Sequence, residues 1–115
     1  MSSDVIDTAT YTALCNTTGV EFVHELVDMF LQEAPAMLAD LRQSLAKQDA
    51  DSFRRAAHSL KSNGNTFGAL ALGALAKDLE LAGVESAGAR GGQALAPLEA
   101  EYSRVAAALQ ALRNG

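Results

Sequence analysis

Nine apolar residues place the strongest constraint on what this chain can become. Val23, Leu26, Val27, Phe30, Ala34, Met37, Leu38, Leu41 and Leu45 recur at helical steps of three and four. They form one broad stripe on a helix from Gly19 to about Gln48, with Pro35 predicting a kink or brief break. A stripe that long has to be covered, and the flanking sequence supplies further helices. Thr8 to Thr17 reads as a short leading helix, with Thr17-Thr18-Gly19 as a stop followed by a new cap. Asp49 or Asp51 caps the next long helix, whose inward stripe is Phe53, Ala56, Ala57, Leu60 and Gly64. Poor helix formers between Ser62 and Thr66 predict its end within that stretch. Another helix runs from Phe67 or Gly68 to Ala82, turning Leu72, Leu75, Leu79 and Ala82 inward. Gly83, Gly88, Gly91 and Gly92 then mark the main loop. The last helix carries Leu95, Leu98, Tyr102, Val105, Leu109 and Leu112, with Pro97 near its start, where a missing N–H does least damage. The expected fold is all-α, an antiparallel up-down four-helix bundle with a short additional N-terminal helix. One domain over residues 1–115 accounts for the whole length.

Composition agrees with helices and narrows the function classes. Aromatic residues make up 5% of the chain, Trp is absent, and short or straight apolar side chains dominate an apolar share of 49%. Nine Lys and Arg against 14 Asp and Glu leave a net charge of −5, which argues against nucleic acid or an anionic membrane as partner. The longest apolar run, Phe67 to Ala76, is too short to cross a bilayer, and the start MSSDVIDTAT lacks the features of a signal peptide. Cys15 has no partner for an internal disulfide and is expected to pack as a small apolar residue. These features predict a cytoplasmic monomer. His24 has no ligand pattern around it, and no phosphate-binding glycine loop occurs, so neither a metal site nor nucleotide binding is expected.

The other histidine has unusual company. On its helix, His58 shares a face with Arg54, Arg55, Lys61 and Ser62, away from the Phe53/Ala57/Leu60 stripe. An acidic chain has thus gathered three of its nine basic residues around one exposed imidazole. A neutral imidazole is a competent nucleophile, and nearby cations neutralise an incoming phosphoryl group. Spacing alone favours a plain solvated polar face.

The order of residues says more. Ala57-His58-Ser59-Leu60-Lys61-Ser62, then Phe67-Gly68-Ala69, Leu75 and Leu79-Glu80, resembles without gaps the signature of histidine-containing phosphotransfer domains. Phe30-Leu31, Pro35, Leu38 and Leu41 are similar to the long second helix of that family. Ser62 stands where the family often has glycine, and Asn63-Gly64-Asn65 replaces a Ser/Ala-rich run.

The resemblance implies that His58 accepts a phosphoryl group on its outer ring nitrogen from a receiver-domain aspartate and passes it to another receiver. It implies no kinase activity and no cofactor of the chain's own, the divalent metal ion being on the receiver. Lys61 would hold phosphate oxygens, and Glu80 would hydrogen-bond the inner ring nitrogen and fix the tautomer. Gly68 and Gly73, with the small Ala69 and Ala76, would leave room beside the ring for a partner loop, serve ordinary close helix packing, or both, while Lys77 would add to the basic field or pair with Glu80. Phe22 and Met29, with Leu26 between them, lie to one side of the long stripe and suit docking of a receiver helix, unless the leading helix covers them. Partners would be response-regulator receiver domains or a hybrid histidine kinase. Three rival readings are a scaffolding bundle that binds through Phe22 and Met29, the phospho-acceptor domain of a larger kinase, and a decayed bundle that blocks a kinase. The first and third leave the Ala57 to Glu80 order unexplained; Met1 and the full helix set favour a free-standing chain over the second.

Overall fold

The computed structural model describes residues 5–90 and 93–114. Five helices follow one another: α1 (Thr8–Thr18), α2 (Val20–Lys47), α3 (Ala50–Phe67), α4 (Leu70–Ala89) and α5 (Ala96–Asn114). Helices α2 to α5 form the antiparallel bundle, each packed on its chain neighbour and α5 closing against α2. The short α1 lies across α2 and α3. Val23, Val27, Phe30, Ala34 and Leu41 of the long stripe are buried, facing Phe53 and Leu60 of α3, Leu72 and Leu79 of α4, and Leu98, Val105 and Leu109 of α5. Phe30 meets Phe67 at 5.5 Å between ring centroids and Tyr102 edge-on at 6.0 Å, so one ring ties α3 and α5 to α2. Cys15 packs at the margin of this core.

Each helix begins and ends for a local reason. The Asp7 side chain accepts from the Thr10 N–H and caps α1; Asp49 accepts from the Ser52 N–H and hydroxyl and caps α3. Those donors hold the Asp49 carboxyl below the usual carboxylate range. Gly19, at φ 96°, ends α1 and starts α2 with no residue to spare. Helix α2 runs unbroken through Pro35, whose ring faces solvent.

Two boundaries depart from the sequence expectation, the end of α3 and the start of the connection to α5. Helix α3 does not stop between Ser62 and Thr66 but continues to Phe67. Asn63 and Thr66 donate their side-chain hydrogens back to the carbonyls of Ser59 and Ser62, so these polar residues sit inside the helix, and burial of Phe67 outweighs their low propensity. Gly83 breaks α4 just after Ala82, as expected, so α4 is two helical segments joined at a kink. Gly83 adopts φ 74° and ψ 175°, a conformation reserved for glycine, which bends the chain before Val84 and Ala87 bury and the helix resumes to Ala89. Arg90 bridges back across this bend to Asp78 at 3.1 Å. The connection to α5 therefore begins beyond Arg90, and Gly91 and Gly92 lie outside the described residues.

Helices α3 and α4 approach most closely because small residues line their seam. A Cβ on Gly64 would sit 3.3 Å from both the Ala69 carbonyl oxygen and the Gly73 nitrogen, and Ala57, Ala69 and Ala76 are fully buried. Gly68, in the left-handed region at φ 86°, caps α3 and accepts the Asp7 N–H at 2.8 Å, which anchors the start of α1. A methyl group there would meet the Asp7 carbonyl oxygen at 2.8 Å. Gly68→Ala is thus expected to cost at least about 1–2 kcal/mol from backbone handedness alone. Gly73→Ala meets only the end of the exposed Asn65 side chain, which can swing away, so its cost is expected to stay within about 1 kcal/mol. Urea unfolding of the two variants checks the order; equal losses would mean that Gly68 is not the tighter position.

Candidate functional site

Helices α3 and α4 bring three of the sequence-predicted residues together. His58 stands on the outer face of α3 with 57% of its side chain exposed. Across the narrow seam, Glu80 of α4 places Oε2 3.0 Å from His58 Nδ1. Lys61, one turn after His58, donates to Glu80 Oε1 at 2.7 Å. The single carboxylate therefore spans both groups, one oxygen to each. Small side chains at Ala57, Gly64, Gly73 and Ala76 are what let the two backbones come near enough for this reach.

The charges fix the protonation pattern. The hydrogen bond from Lys61, then the one from His58, hold the Glu80 carboxyl below the ordinary range, against the opposing effect of partial burial. A depressed carboxyl contributes in full above the ordinary Glu range and loses its contribution only as pH falls through the depressed value. Glu80 is thus ionised at neutral pH, and an ionised carboxylate only accepts. His58 Nδ1 must then be the donor, and in the neutral ring the outer nitrogen, Nε2, carries the free lone pair. A half-exposed ring presenting a lone pair to solvent, fixed from behind, is a nucleophile open to a large partner.

The remaining candidates are placed less uniformly. Arg54 turns back to Asp51 at 3.5 Å, and the Arg55 Nε donates to the Asp51 carbonyl at 3.4 Å. Arg55 also lines a groove between α2 and α3 with Lys47, Asp49, Ser52 and Ser59, so it lies to the α2 side of His58. Ser62 is exposed on the same face of α3 as His58. Lys77 is exposed and has no carboxylate partner among the described residues; Glu80 takes Lys61 in its place.

Of the two readings of Gly68, close packing is the one its surroundings match. Gly68 lies ten residues beyond His58 in the chain, roughly 15 Å along the helix axis, and is buried against Asp7 and Thr10 as the cap of α3. Gly73 is likewise covered, by the Asn65 side chain. Their smallness serves the helix cap and the α3/α4 seam.

Phe22 and Met29 are 50% and 52% exposed, so α1 leaves them open, while Leu26 between them is half-buried against the core. Sequence reasoning missed Leu81, which directly follows Glu80 and is 76% exposed. Its signal was the even spread of apolar residues around α4, more than one buried face can hold. Among the described residues no helix is long and apolar enough to cross a membrane.

Comparison with known proteins agrees with this arrangement. No curated protein sequence matches the chain. Among solved structures, the crystal structure of histidine-containing phosphotransfer protein B (HptB) from Pseudomonas aeruginosa PAO1 superposes with a TM-score of 0.86 at 25% sequence identity. The match covers 98% of this chain and 97% of that one. The Hpt domain profile matches residues 25–115, from the first turns of α2 through the end of α5 and including His58, Lys61 and Glu80, and the chain therefore belongs to the Hpt domain family.

Proposed function

We propose that this chain carries a phosphoryl group between receiver-domain aspartates by way of phosphohistidine at His58. The observation that supports the reading most directly is the half-exposed imidazole held from behind by Glu80, with its outer nitrogen turned to solvent. In the accepting step, the Nε2 lone pair forms a bond to phosphorus as the bond to the receiver's aspartyl oxygen breaks, and the aspartate leaves as carboxylate. The reverse sequence loads the next receiver. Such a transfer depends on positioning and charge neutralisation more than on covalent help from the carrier. The receiver brings the divalent metal ion, and this chain contributes the nucleophile and a local positive field from Arg54, Arg55, Lys61 and Lys77. Lys61 neutralises phosphate oxygens once they arrive. In this reading the chain acts as a carrier without kinase activity.

Docking is assigned to Phe22, Leu26 and Met29, with Ser62 and the two arginines at the border of the reacting face. Phe22 and Met29 offer apolar area that the bundle itself leaves uncovered. Met29→Asp sets a desolvated charge against the partner and is expected to weaken receiver binding about tenfold, typical of losing one anchoring side chain. Transfer kinetics measured across receiver concentrations check this; an unchanged concentration dependence places the docking surface elsewhere.

The function itself is tested by mixing the protein with a phosphorylated receiver and following the label. The expected product is an acid-labile, alkali-stable phosphoryl group that peptide mapping places on His58. Label on any other residue would overturn the assignment.

A further inference from the structure

Glu80 is shared between two groups before any phosphoryl group arrives. Lys61 takes Oε1 at 2.7 Å and His58 takes Oε2 at 3.0 Å. The lysine and the glutamate are the sheltered members, with 26% and 17% of their side chains exposed against 57% for His58. The tightest contact of the site is therefore Lys61 with Glu80, and it engages the ammonium group.

Resting on the reading of His58 as the acceptor, we propose that Lys61 is a positioning residue for the unphosphorylated imidazole, acting through Glu80. Two physical effects carry this. The first is orientation. The terminal torsion of a glutamate is broad, so a carboxylate held by one weak partner rotates freely. With Lys61 pinning Oε1, the other oxygen is aimed at His58 Nδ1 and fixes the ring plane. The second is charge. A lone carboxylate beside an imidazole favours the imidazolium form, whose Nε2 bears a proton and has no lone pair to attack with. The ammonium ion of Lys61 cancels that bias, so Glu80 orients the ring without protonating it.

The other charged groups around the site do not substitute for Lys61. Arg54 and Arg55 on α3 turn to Asp51, and Lys77 on α4 is exposed and makes no ion pair with Glu80. A lysine whose part is confined to gathering phosphate oxygens has no need of a 2.7 Å bond to a carboxylate in the resting state. Once phosphate oxygens are present they compete with Glu80 for the same ammonium group, so one residue serves the two stages in turn.

The test reads the unphosphorylated chain and so stands apart from the transfer assay. Nitrogen-15 NMR of the imidazole, at slightly alkaline pH, distinguishes the proton on Nδ1, the proton on Nε2 and the imidazolium form. The wild-type protein is expected to show His58 with a protonated Nδ1 and a bare Nε2. Lys61→Met and Lys61→Gln are expected to lose that pattern toward imidazolium or the Nε2–H tautomer, and Lys61→Arg to retain it. Thermal unfolding of each variant confirms that the bundle is intact. Superimposable His58 spectra in the wild type and both neutral variants would confine Lys61 to the phosphate and overturn the proposal, as would a wild-type ring protonated on Nε2. If the spectra behave as expected but label maps to another residue, the positioning role stands and the assignment of His58 as acceptor falls.

Discussion

His58→Gln is expected to reduce phosphoryl acceptance from a phosphorylated receiver to background while leaving the bundle folded. The loss should be complete because no second nucleophile shares the position. Lys61 is bound to Glu80, and the neighbouring hydroxyls of Ser59 and Ser62 have no base behind them to activate attack. The structural cost should be small. The ring is more than half exposed and its one polar contact among the described residues is with Glu80, so unfolding free energy should change by about 0.5 kcal/mol or less. His24, the only other histidine, provides the matched control, and His24→Gln should label at the wild-type rate. The measurement is label incorporation over time beside thermal unfolding of each variant. Equal labelling of His58→Gln and wild type would remove His58 from the chemistry.

The largest effect on stability is expected at Phe53. It is fully buried and heads the largest side chains with no exposure, facing inward from the first turns of α3. Phe53→Ala removes the ring and leaves a cavity that a bundle of close-packed helices fills only in part, a loss of about 3–5 kcal/mol. Domains of this size have total stabilities of roughly 5–15 kcal/mol, so the variant should stand near the edge of folding. With a typical urea slope for a small domain, the midpoint should fall by about 2 M. In the absence of denaturant the folded fraction should still take label at His58, since the ring of Phe53 and the imidazole lie on opposite faces of α3. A loss below about 1 kcal/mol would mean that Phe53 is not packed as placed.

How much of this was legible beforehand differs from residue to residue. The stripe from Val23 to Leu45 announced α2 because a covered helix face needs regular spacing, and the buried set on α3 from Phe53 to Gly64 followed the same rule. His58, Lys61 and Glu80 were legible as an ordered motif. The bond between Lys61 and Glu80 was not, because it depends on how near two helices approach, and that distance is a property of the seam and of no single segment. The extension of α3 through Asn63 and Thr66 escaped notice for a related reason. Their low propensity is a local quantity, and burial of Phe67 is a tertiary one. Gly68 was expected to open the helix facing His58 and instead caps the helix that carries it, because a motif position names a residue without saying what it touches. Gly83 signalled a break correctly, but whether the helix resumes after it is decided by burial of Val84 and Ala87.

The seam between α3 and α4 bears on how such a carrier could be given new partners. At its narrowest, Gly64 faces the Ala69 carbonyl and the Gly73 nitrogen directly, so the approach that brings His58 to Glu80 is set inside the seam and not by the residues on the solvent faces of α2 or α4. On the proposed docking role, substitutions at Phe22 or Met29 are expected to alter which receiver is recognised while the contact between His58 and Glu80 stays in place. Under the proposed function, recognition and chemistry would then be separable traits, each open to selection or engineering on its own.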